Sequence, residues 1–497
     1  MKRLFLNYST FTDRQNVTRI LAPCELHPDP LTLDGGVVWK QDNLHLNWDR
    51  NEYGEYHGWR NCSQGVANQA EARAPHVKRC RSDDGFAWED HGDPSIAETV
   101  VIDKTESDPE RRYKCVYQGI AALGEKGGVE IAMNDYDGLV AAHTDGRPIH
   151  YGVFSAVSGD GIHWHDHRAV VIDTYRLWAS EASLGHNPDG DKKKLEWWKP
   201  GAQGWAGGDS FPCLTYLPDR SKFVAFYRTN IDRRTSLFPN QRRRERGVGR
   251  SECDIFGKWG EHRLAMRSDP DWQHALGHGK QDFYQLQVWP CGDVYLGIAS
   301  VFYWEEDRNH LELAWSPDTI YWERICPYTD LVPHGKLPDF GGGSNYASMR
   351  PREIDGKVRV YFGADNGRHN ADSKGKNSTL MLAYFEPDRF AGVGVANRNF
   401  GIGNPATGIL VTRPIEVAEE HMRLNANAEN GLVRAELQEQ DGKALEGFSL
   451  EECDPISVDS FNTIVSWNGK TSLNELANRQ IRIRFESENS VLYAFQI

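Results

Sequence analysis

Short apolar runs alternate with polar, glycine-containing turns along the first 400 residues of the chain. Typical runs are Thr99–Ile102, Phe223–Tyr227, Val294–Ile298 and Val358–Phe362. Apolar and aromatic runs of this length, bounded by turn residues, are typical of β-strands. The runs group into five units, each of which reads as strand, turn and strand. The pattern therefore predicts an all-β protein.

A short turn motif returns within these units. It is Ser-x-Asp-Gly-x-x-Trp at Ser82–Trp88 and Ser158–Trp164, and Ser316–Trp322 has Thr319 in place of the glycine. A degenerate copy lies at Ser251–Trp259. Ser and Asp favour a tight turn, glycine supplies positive φ, and the tryptophan can anchor neighbouring sheets. A single such turn occurs on any β protein, but a loose repeat predicts the hairpins of propeller blades.

The pattern of apolar and polar residues changes near residue 400. Phe400–Pro405 is rich in glycine, and short alternating runs such as Leu432–Leu437 and Ile481–Phe485 follow it. We therefore expect a five-bladed β-propeller over residues 1–400 and a small β-sandwich over residues 401–497. The sandwich is expected to be a packing domain. If it bound sugar instead, aromatic residues such as Trp467 should line an open face.

Composition and charge exclude some functions. The formal net charge of −14 argues against nucleic acid or an anionic membrane as the main partner. The nine cysteines form no C-x-x-C pair, which argues against a zinc ribbon and a disulfide framework. The N-terminus has no apolar signal region and no stretch could span a membrane. We expect a cytoplasmic protein, or a periplasmic or secreted one if a signal peptide has been removed; the oligomeric state stays open.

Candidate chemistry rests on aspartates that are expected at the start of the first strand of a unit. Asp103, Asp209, Asp282 and Asp339 belong to units two to five in turn. Carboxylates that converge on one channel repel, so their pKa values separate into an acid and a base, as glycoside cleavage requires. The alternative for each aspartate alone is a turn or strand cap. Asp209 is the strongest candidate because it follows Gly207 and precedes an apolar strand.

Other residues are candidates for sugar binding or for a charged ligand. Arg228, Arg350, Trp39 and Trp205 are predicted to position substrate, and the basic run 242–246 is a solvated loop or a site for phosphate, sulfate or uronate. Glu252 is a weaker candidate acid, on an outer strand. His274 and His278 are four residues apart without an intervening Glu, so no metal-ligand spacing is present. No cofactor is expected, although clustered carboxylates would suit a structural calcium ion in the channel.

Several motifs resemble a known group of proteins. The segment Asp108–Lys114, the Gly-Asp-Ser sequence ending at Ser210, and the tail motifs Asp441–Ser449 and Leu492–Phe495 resemble those of glycoside-hydrolase-like propellers from bacterial polysaccharide degraders. That group is similar to the five-bladed superfamily of glycoside hydrolase families 32, 43, 62 and 68. Of the nucleophile motif of families 32 and 68, only a remnant at residues 39–42 is present.

The resemblance implies a carbohydrate substrate. Families 43 and 62 use an inverting base, an acid and a third carboxylate, for which Asp209, Asp282 and Asp339 are the candidates without assigned roles. The leading hypothesis is an exo-acting glycoside hydrolase. The alternatives are a non-catalytic carbohydrate-binding propeller, and a polysaccharide lyase, which needs a Tyr, His or Lys near a uronate-binding Arg. Channel carboxylates separated by roughly 5–10 Å would distinguish hydrolysis from binding alone.

Overall fold

The computed structural model describes most of the chain. The ranges described are 2–37, 46–50, 56–61, 77–97, 99–124, 128–132, 135, 138–139, 141–142, 145–147, 149–172, 212–232, 244–268, 279–372, 375–395 and 407–497. Nearly all of the secondary structure in these ranges is β-strand, with short 3-10 turns such as Tyr8–Thr10 and Pro109–Arg111. No helix in these ranges is long and apolar enough to cross a membrane.

The described residues form five sheets of four antiparallel strands, here named blades 1 to 5 in chain order. Their strands, from first to fourth, are Leu46–Arg50, Tyr56–Asn61, Val77–Ser82 and Ala87–Ser95 in blade 1; Thr99–Ile102, Tyr113–Leu123, Ile149–Ser158 and His165–Ile172 in blade 2; Cys213–Leu217, Lys222–Asp232, Arg244–Cys253 and Arg263–Met266 in blade 3; Gln281–Cys291, Val294–Tyr303, Arg308–Ser316 and Glu323–Ile325 in blade 4; and Asn345–Ala347, Lys357–Asp365, Ser378–Phe385 and Glu25–Leu26 in blade 5. The first strands of successive blades contact one another, so they are the inner strands around the channel. The predicted all-β propeller is thereby confirmed.

Three further strands extend blades at their margins. Thr32–Leu33 pairs in parallel with the fourth strand of blade 1, Val129–Ile131 pairs with the second strand of blade 2, and Arg352–Ile354 pairs with the second strand of blade 5.

Blade 5 is closed by the beginning of the chain. Its fourth strand is Glu25–Leu26, in which Glu25 pairs with Tyr384 and Leu26 with Ala383. The chain then continues into blade 1, so the two ends of the propeller are joined by backbone hydrogen bonds. This pairing removes the open sheet edge that a ring of consecutive blades would otherwise leave.

The predicted Ser-Asp turns are confirmed in detail. The Ser82 hydroxyl accepts the Gly85 N–H at 2.8 Å, and the Asp84 carboxylate accepts the N–H groups two and three residues further on at 2.7 and 2.9 Å. The same bonds form in Ser158–Trp164 and Ser316–Trp322. Each turn joins the third and fourth strands of a blade. Position four of the motif has positive φ in all three copies, including the threonine.

The degenerate copy occupies the equivalent position in blade 3. The Ser251 hydroxyl donates to the Gly260 carbonyl at 2.8 Å, and Trp259 donates its indole N–H to Ser155 of blade 2. Blade 5 has no room for such a turn, because its fourth strand comes from the N-terminal segment and not from the chain that follows its third strand. The turn motif is therefore found in blades 1 to 4 and not in blade 5, because the N-terminal segment closes the ring there.

Two further sheets form the β-sandwich. Their strands are Val17–Leu21, Ala391–Val395, Val491–Gln496, Arg423–Asn427, Asp459–Ile464 and Arg3–Leu4 in one sheet, and Phe11–Gln15, Gly408–Thr412, Gln480–Glu488, Ile415–Glu416 and Leu432–Gln438 in the other. The core between them includes Phe5, Phe485 and Phe495. Trp467 is 1% exposed within this core and donates its indole N–H to the Ala435 carbonyl, so it lines no open face.

The strand pairing corrects the expected division at residue 400. Residues 3–21 and 391–395, which the sequence assigned to the propeller, are strands of the sandwich sheets. The physical reason is that these strands pair with partners far away in the sequence, as in the pairing of Arg3 with Phe495 and of Val17 with Val395. The sandwich packs on blades 4 and 5, where Leu4 and Leu6 join the apolar core of those blades.

Candidate functional site

Asp282 stands at the start of the inner strand of blade 4, at the end of the channel where the inner strands begin. It is 1% exposed. One carboxylate oxygen accepts the Arg246 backbone N–H at 3.0 Å, and the other accepts the Trp304 indole N–H at 3.0 Å. The Lys280 ammonium lies 3.4 Å from the same carboxylate. The Asp282 carboxylate is thus buried and held in place by two hydrogen-bond donors and one cation at this end of the channel.

Tyr284 lies beside Asp282 at a β-bulge. The register of the first two strands of blade 4 shifts between Phe283 and Gln285, so Tyr284 occupies the extra position of the bulge. Bulges of this kind redirect a side chain and are frequent beside active sites. The Tyr284 hydroxyl accepts a hydrogen bond from the Arg246 guanidinium. Arg246 and Arg228 lie 4.7 and 5.8 Å from the centre of the Tyr284 ring.

His369 connects Tyr284 with blade 5. Its Nε2 lies 3.4 Å from the Tyr284 hydroxyl, and its Nδ1 lies 2.8 Å from the Tyr346 hydroxyl on the inner strand of blade 5. Burial raises the pKa of Tyr346 well above its ordinary value, so this phenol stays protonated. A neutral imidazole between two phenols can accept from one and donate to the other. The arrangement is a hydrogen-bonded chain from Arg246 through Tyr284 and His369 to Tyr346.

The loop that carries His369 is fixed from blade 4. The Asp307 carbonyl accepts the His369 backbone N–H at 2.8 Å, and the Asp307 carboxylate accepts the N–H groups of Asn370 and Ala371. Burial opposes the charge of Asp307, but these backbone hydrogen bonds hold the pKa of its carboxyl below the ordinary value. His369 is therefore presented by a loop with few degrees of freedom.

We call this group the Asp282 cluster. Its members are Arg228, Arg246, Lys280, Asp282, Tyr284, Trp304, Tyr346 and His369. Its cationic members are Arg228, Arg246 and Lys280, and its carboxylate is that of Asp282.

Trp304 gives this end of the channel an aromatic surface. Its side chain is 45% exposed although its indole N–H is bonded to the buried Asp282. The Lys280 ammonium lies 4.3 Å from the centre of the ring. A fixed, exposed aromatic ring beside charged hydrogen-bonding groups is what a small polar ligand with an apolar face requires.

Besides Asp282, two of the predicted residues can be located relative to this cluster. Arg228 belongs to the Asp282 cluster, as described. Arg350 follows the first segment of the inner strand of blade 5, and its charge acts on the thiol of Cys213 in blade 3. Burial, the larger influence, raises the pKa of Cys213 to about 11. Arg350 therefore lies within electrostatic range of the inner strand of blade 3. Asp209, Trp39 and Trp205 fall outside the residues that the structure describes.

The structure does not bring Asp103 to the cluster. It follows the inner strand of blade 2, whereas Asp282 begins the inner strand of blade 4, so the two lie at opposite ends of their strands. The Asp103 carboxylate accepts the Thr105 N–H at 3.0 Å and lies 2.9 Å from the buried Lys114 ammonium. Its role is to close a turn. The sequence interpretation placed it at the wrong end of a correctly predicted strand.

Asp339 is also corrected. Its side chain is exposed in the loop before blade 5, where its backbone N–H donates to the Lys336 carbonyl and its carbonyl accepts the Gly342 N–H. The start of the inner strand is occupied by Asn345. The glycine-rich loop lies between Asp339 and this strand, and it separates the carboxylate from the start of the strand.

Glu252 has a structural role at the far end of blade 3. It lies next to the last residue of the third strand, Arg244–Cys253, and pairs with Lys222 at 2.9 Å and with Arg250. Burial opposes its charge, but hydrogen bonds from Lys222 and Arg250 hold the pKa of its carboxyl below the ordinary value. A carboxyl that is ionised and paired is unsuited to act as a general acid.

A second concave region lies at the junction of propeller and sandwich. Its volume is about 340 Å³, and its lining includes Lys2, Glu386, Asp388, Arg423 and Phe461. Its two carboxylates are paired with lysines, Asp388 with Lys2 and Glu386 with Lys357. It therefore offers a concave surface whose two carboxylates are both held in ion pairs.

Sequence reasoning found Asp282 and Arg228 but passed over most of their neighbours. Tyr284 was detectable in principle, because it lies two residues after Asp282 on the same strand. Trp304 reaches Asp282 through the pairing of the first two strands of blade 4, in which Gln281 opposes Tyr303. His369 lies on a loop that reaches the cluster only through the packing of blade 5 on blade 4. No spacing along the chain signals such contacts.

The chain was compared with known proteins. No protein-family model matches the sequence, and no curated protein matches it. Among solved structures, it is similar to an N-acetylgalactosamine deacetylase from F. plautii, with 15% identity over 73% of this chain and 96% of that one and a TM-score of 0.39. A thermostable family-43 glycoside hydrolase is similar with 9% identity over 73% and 96% and a TM-score of 0.41.

A third solved structure extends across both domains. It is a GH32 β-fructofuranosidase from Bombyx mori, with 11% identity over 95% of this chain and 93% of that one and a TM-score of 0.38. At such identities the likeness concerns the path of the backbone. The chemistry of this chain has to be argued from its own side chains.

Proposed function

We propose that the chain is a glycoside hydrolase that acts on a terminal sugar or short oligosaccharide at the Asp282 end of the channel. The observation that carries the proposal is the buried Asp282 carboxylate beside the exposed indole of Trp304. The ring offers a face on which a sugar can stack, and the polar groups around it offer partners for hydroxyls. Arg228, Arg246 and Lys280 are cationic side chains that can pair with a carboxylate or sulfate on the sugar.

The proposed mechanism divides its tasks between fixed and reacting groups. Hydrolysis adds water across the glycosidic bond, so one carboxyl must protonate the leaving oxygen and another must activate water or attack the sugar. Asp282, held by three partners, is suited to stabilise positive charge that develops on the sugar. Asp209, which precedes the inner strand of blade 3 by four residues, is our proposal for a reacting carboxylate, on sequence position alone.

A lyase is the second candidate, and one specific observation favours it. The Tyr284 hydroxyl lies between the Arg246 guanidinium and His369. In β-elimination from a uronate, an arginine neutralises the carboxylate and a base removes the neighbouring carbon-bound proton. The substituent on the next carbon departs with a proton, which leaves a carbon–carbon double bond in the product. Tyr284 and His369 are the groups that could move these protons.

One assay distinguishes these functions. The protein is incubated with panels of neutral and acidic oligosaccharides, and both reducing ends and the ultraviolet absorbance of unsaturated products are followed. Hydrolysis releases reducing ends without that absorbance, and we expect Asp209→Asn and Asp282→Asn to abolish it. Asp355→Asn is the matched control, since Asp355 is exposed in a hairpin far from the cluster.

Other outcomes would redirect the proposal. Ultraviolet absorbance that is lost in Tyr284→Phe would establish the lyase instead. Sugar binding without any product, in wild type and variants alike, would leave a carbohydrate-binding propeller. Each variant is compared with wild type by thermal denaturation, so that loss of the fold is not mistaken for loss of chemistry.

A further inference from the structure

Three metal-binding side chains converge where blade 4 meets blade 5. His310 lies on the third strand of blade 4, and Asp330 and His334 lie in the segment between that blade and the inner strand of blade 5. The Nδ1 of His310 is 2.8 Å from one oxygen of Asp330, and the Nδ1 of His334 is 2.9 Å from the other. One ligand atom from each residue lies within 4.8 Å of the others. None of the three belongs to the Asp282 cluster.

The outer nitrogens of both rings face groups that accept hydrogen bonds. His334 Nε2 is 3.1 Å from the Asn309 carbonyl, which can only accept, so this nitrogen carries a proton. His310 Nε2 is 3.3 Å from the Glu306 carboxylate, close enough for electrostatic attraction but without hydrogen-bond geometry. In a neutral imidazole that is protonated at Nε2, Nδ1 bears a bare lone pair.

Both Nδ1 atoms face the Asp330 carboxylate at hydrogen-bond distance. An imidazole protonated at Nε2 can make this contact favourable in two ways, by a second proton on Nδ1 or by a metal ion bound between the Nδ1 lone pair and the carboxylate. A metal ion shared by the three residues satisfies both rings at once. The outer contact of His334 matches what metal-binding histidines usually have, since the ring nitrogen that is not bound to metal donates to a carbonyl or carboxylate.

The surroundings hold the ligands in place. Both histidine side chains are 8% exposed, whereas Asp330 is 25% exposed. The Tyr303 ring stacks on His310 with centroids 4.0 Å apart, and the two imidazole centroids are 4.4 Å apart. The rings are thus fixed from the protein side, while the carboxylate side stays open to water for a further ligand.

We propose that His310, Asp330 and His334 bind one divalent transition-metal ion, most favourably zinc. Two imidazoles and one carboxylate, with a water in the fourth position, form a common zinc ligand set. The ion would join the third strand of blade 4 to the segment that leads into the inner strand of blade 5. It is a separate proposal from the function above, because it shares no residue with that site.

The test measures zinc binding directly. Full-length protein is treated with a chelator, dialysed, and titrated with zinc by calorimetry, with cobalt(II) as a spectroscopic probe of nitrogen ligation. We expect one zinc ion per chain and a higher melting temperature with zinc. Loss of a residue that only hydrogen-bonds to a metal ligand weakens metal binding by roughly 10–100-fold. His334→Ala and Asp330→Asn remove a ligand itself, so they should weaken zinc binding by more than this.

The control is His163→Ala, which removes an exposed histidine that also contacts an aspartate, Asp160 at 2.7 Å. It should bind zinc as the wild type does. Asp330→Asn keeps the shape of the side chain, and its melting temperature without zinc verifies that it folds. The proposal is overturned if the wild type binds no zinc, or if all four chains bind it equally. In either case the cluster would be held by protons alone.

Discussion

The indole N–H of Trp304 should stabilise the protein through Asp282, and a double-mutant cycle can measure this. Trp304→Phe removes the donor and keeps an aromatic ring. A hydrogen bond to a charged group contributes roughly 1.5–3 kcal/mol. Because Trp304 is 45% exposed, water can partly replace it, so we expect the lower end, about 1.5 kcal/mol. This corresponds to about a tenfold change in the unfolding equilibrium.

In an Asp282→Asn background the acceptor is no longer charged. Trp304→Phe should then lower the free energy of unfolding by only about 0.5 kcal/mol. The expected coupling is therefore about 1 kcal/mol, measured by urea denaturation of the two single variants and the double variant. Trp322→Phe is the control, since Trp322 donates to the Thr319 carbonyl in the blade 4 turn. Its coupling to Asp282→Asn should fall within about 0.5 kcal/mol of zero. Equal coupling for both tryptophans would refute the reasoning.

Three further predictions concern the turns and the sandwich. Gly161→Ala should lower the free energy of unfolding by about 1–2 kcal/mol, because Gly161 has φ of 74°. The control is Gly128→Ala, whose added methyl group meets no atom within 4 Å, so the free energy of unfolding should change little. Equal urea midpoints for the two variants would contradict the role of the turn. Trp467→Ala should cost about 3–5 kcal/mol in the same measurement, because it leaves a cavity in the sandwich core; a change under about 1 kcal/mol would contradict that packing role. Asp84 is held ionised by backbone N–H groups, which outweigh the opposing effect of burial and lower its pKa. The contribution of ionised Asp84 to the free energy of unfolding should therefore be complete above the unfolded pKa of about 3.9, and it should be lost as the pH falls through the lower folded pKa. The difference in the free energy of unfolding between wild type and Asp84→Asn should thus shrink on acidification. A difference that does not depend on pH would contradict this prediction.

Local signals in the sequence were reliable because their physics is local. The Ser-Asp turns form all their hydrogen bonds within four residues, so Ser82, Ser158 and Ser316 could be recognised from spacing alone. Asp282 could be found because it begins an apolar run. Asp103 could not be assigned correctly, because a carboxylate beside a strand does not reveal which end of the channel it faces.

Long-range contacts could not be predicted. Glu25–Leu26 completes blade 5 through partners more than 350 residues away, and Arg3–Leu4 pairs with the end of the chain. His369 reaches Tyr284 only because blade 5 packs on blade 4. The same limit applies to the three proposed metal ligands, whose separations along the chain match no familiar metal motif.

Sugar binding by the wild type and two variants tests the central claim most directly. Calorimetry with the acidic oligosaccharide panel should detect binding that Trp304→Ala weakens by roughly 30-fold, the effect of losing an anchor worth about 2 kcal/mol. Phe461→Ala, in the cavity between propeller and sandwich, should leave the affinity unchanged. The opposite result, with binding lost in Phe461→Ala and kept in Trp304→Ala, would place the ligand at the domain junction and contradict a site at Asp282.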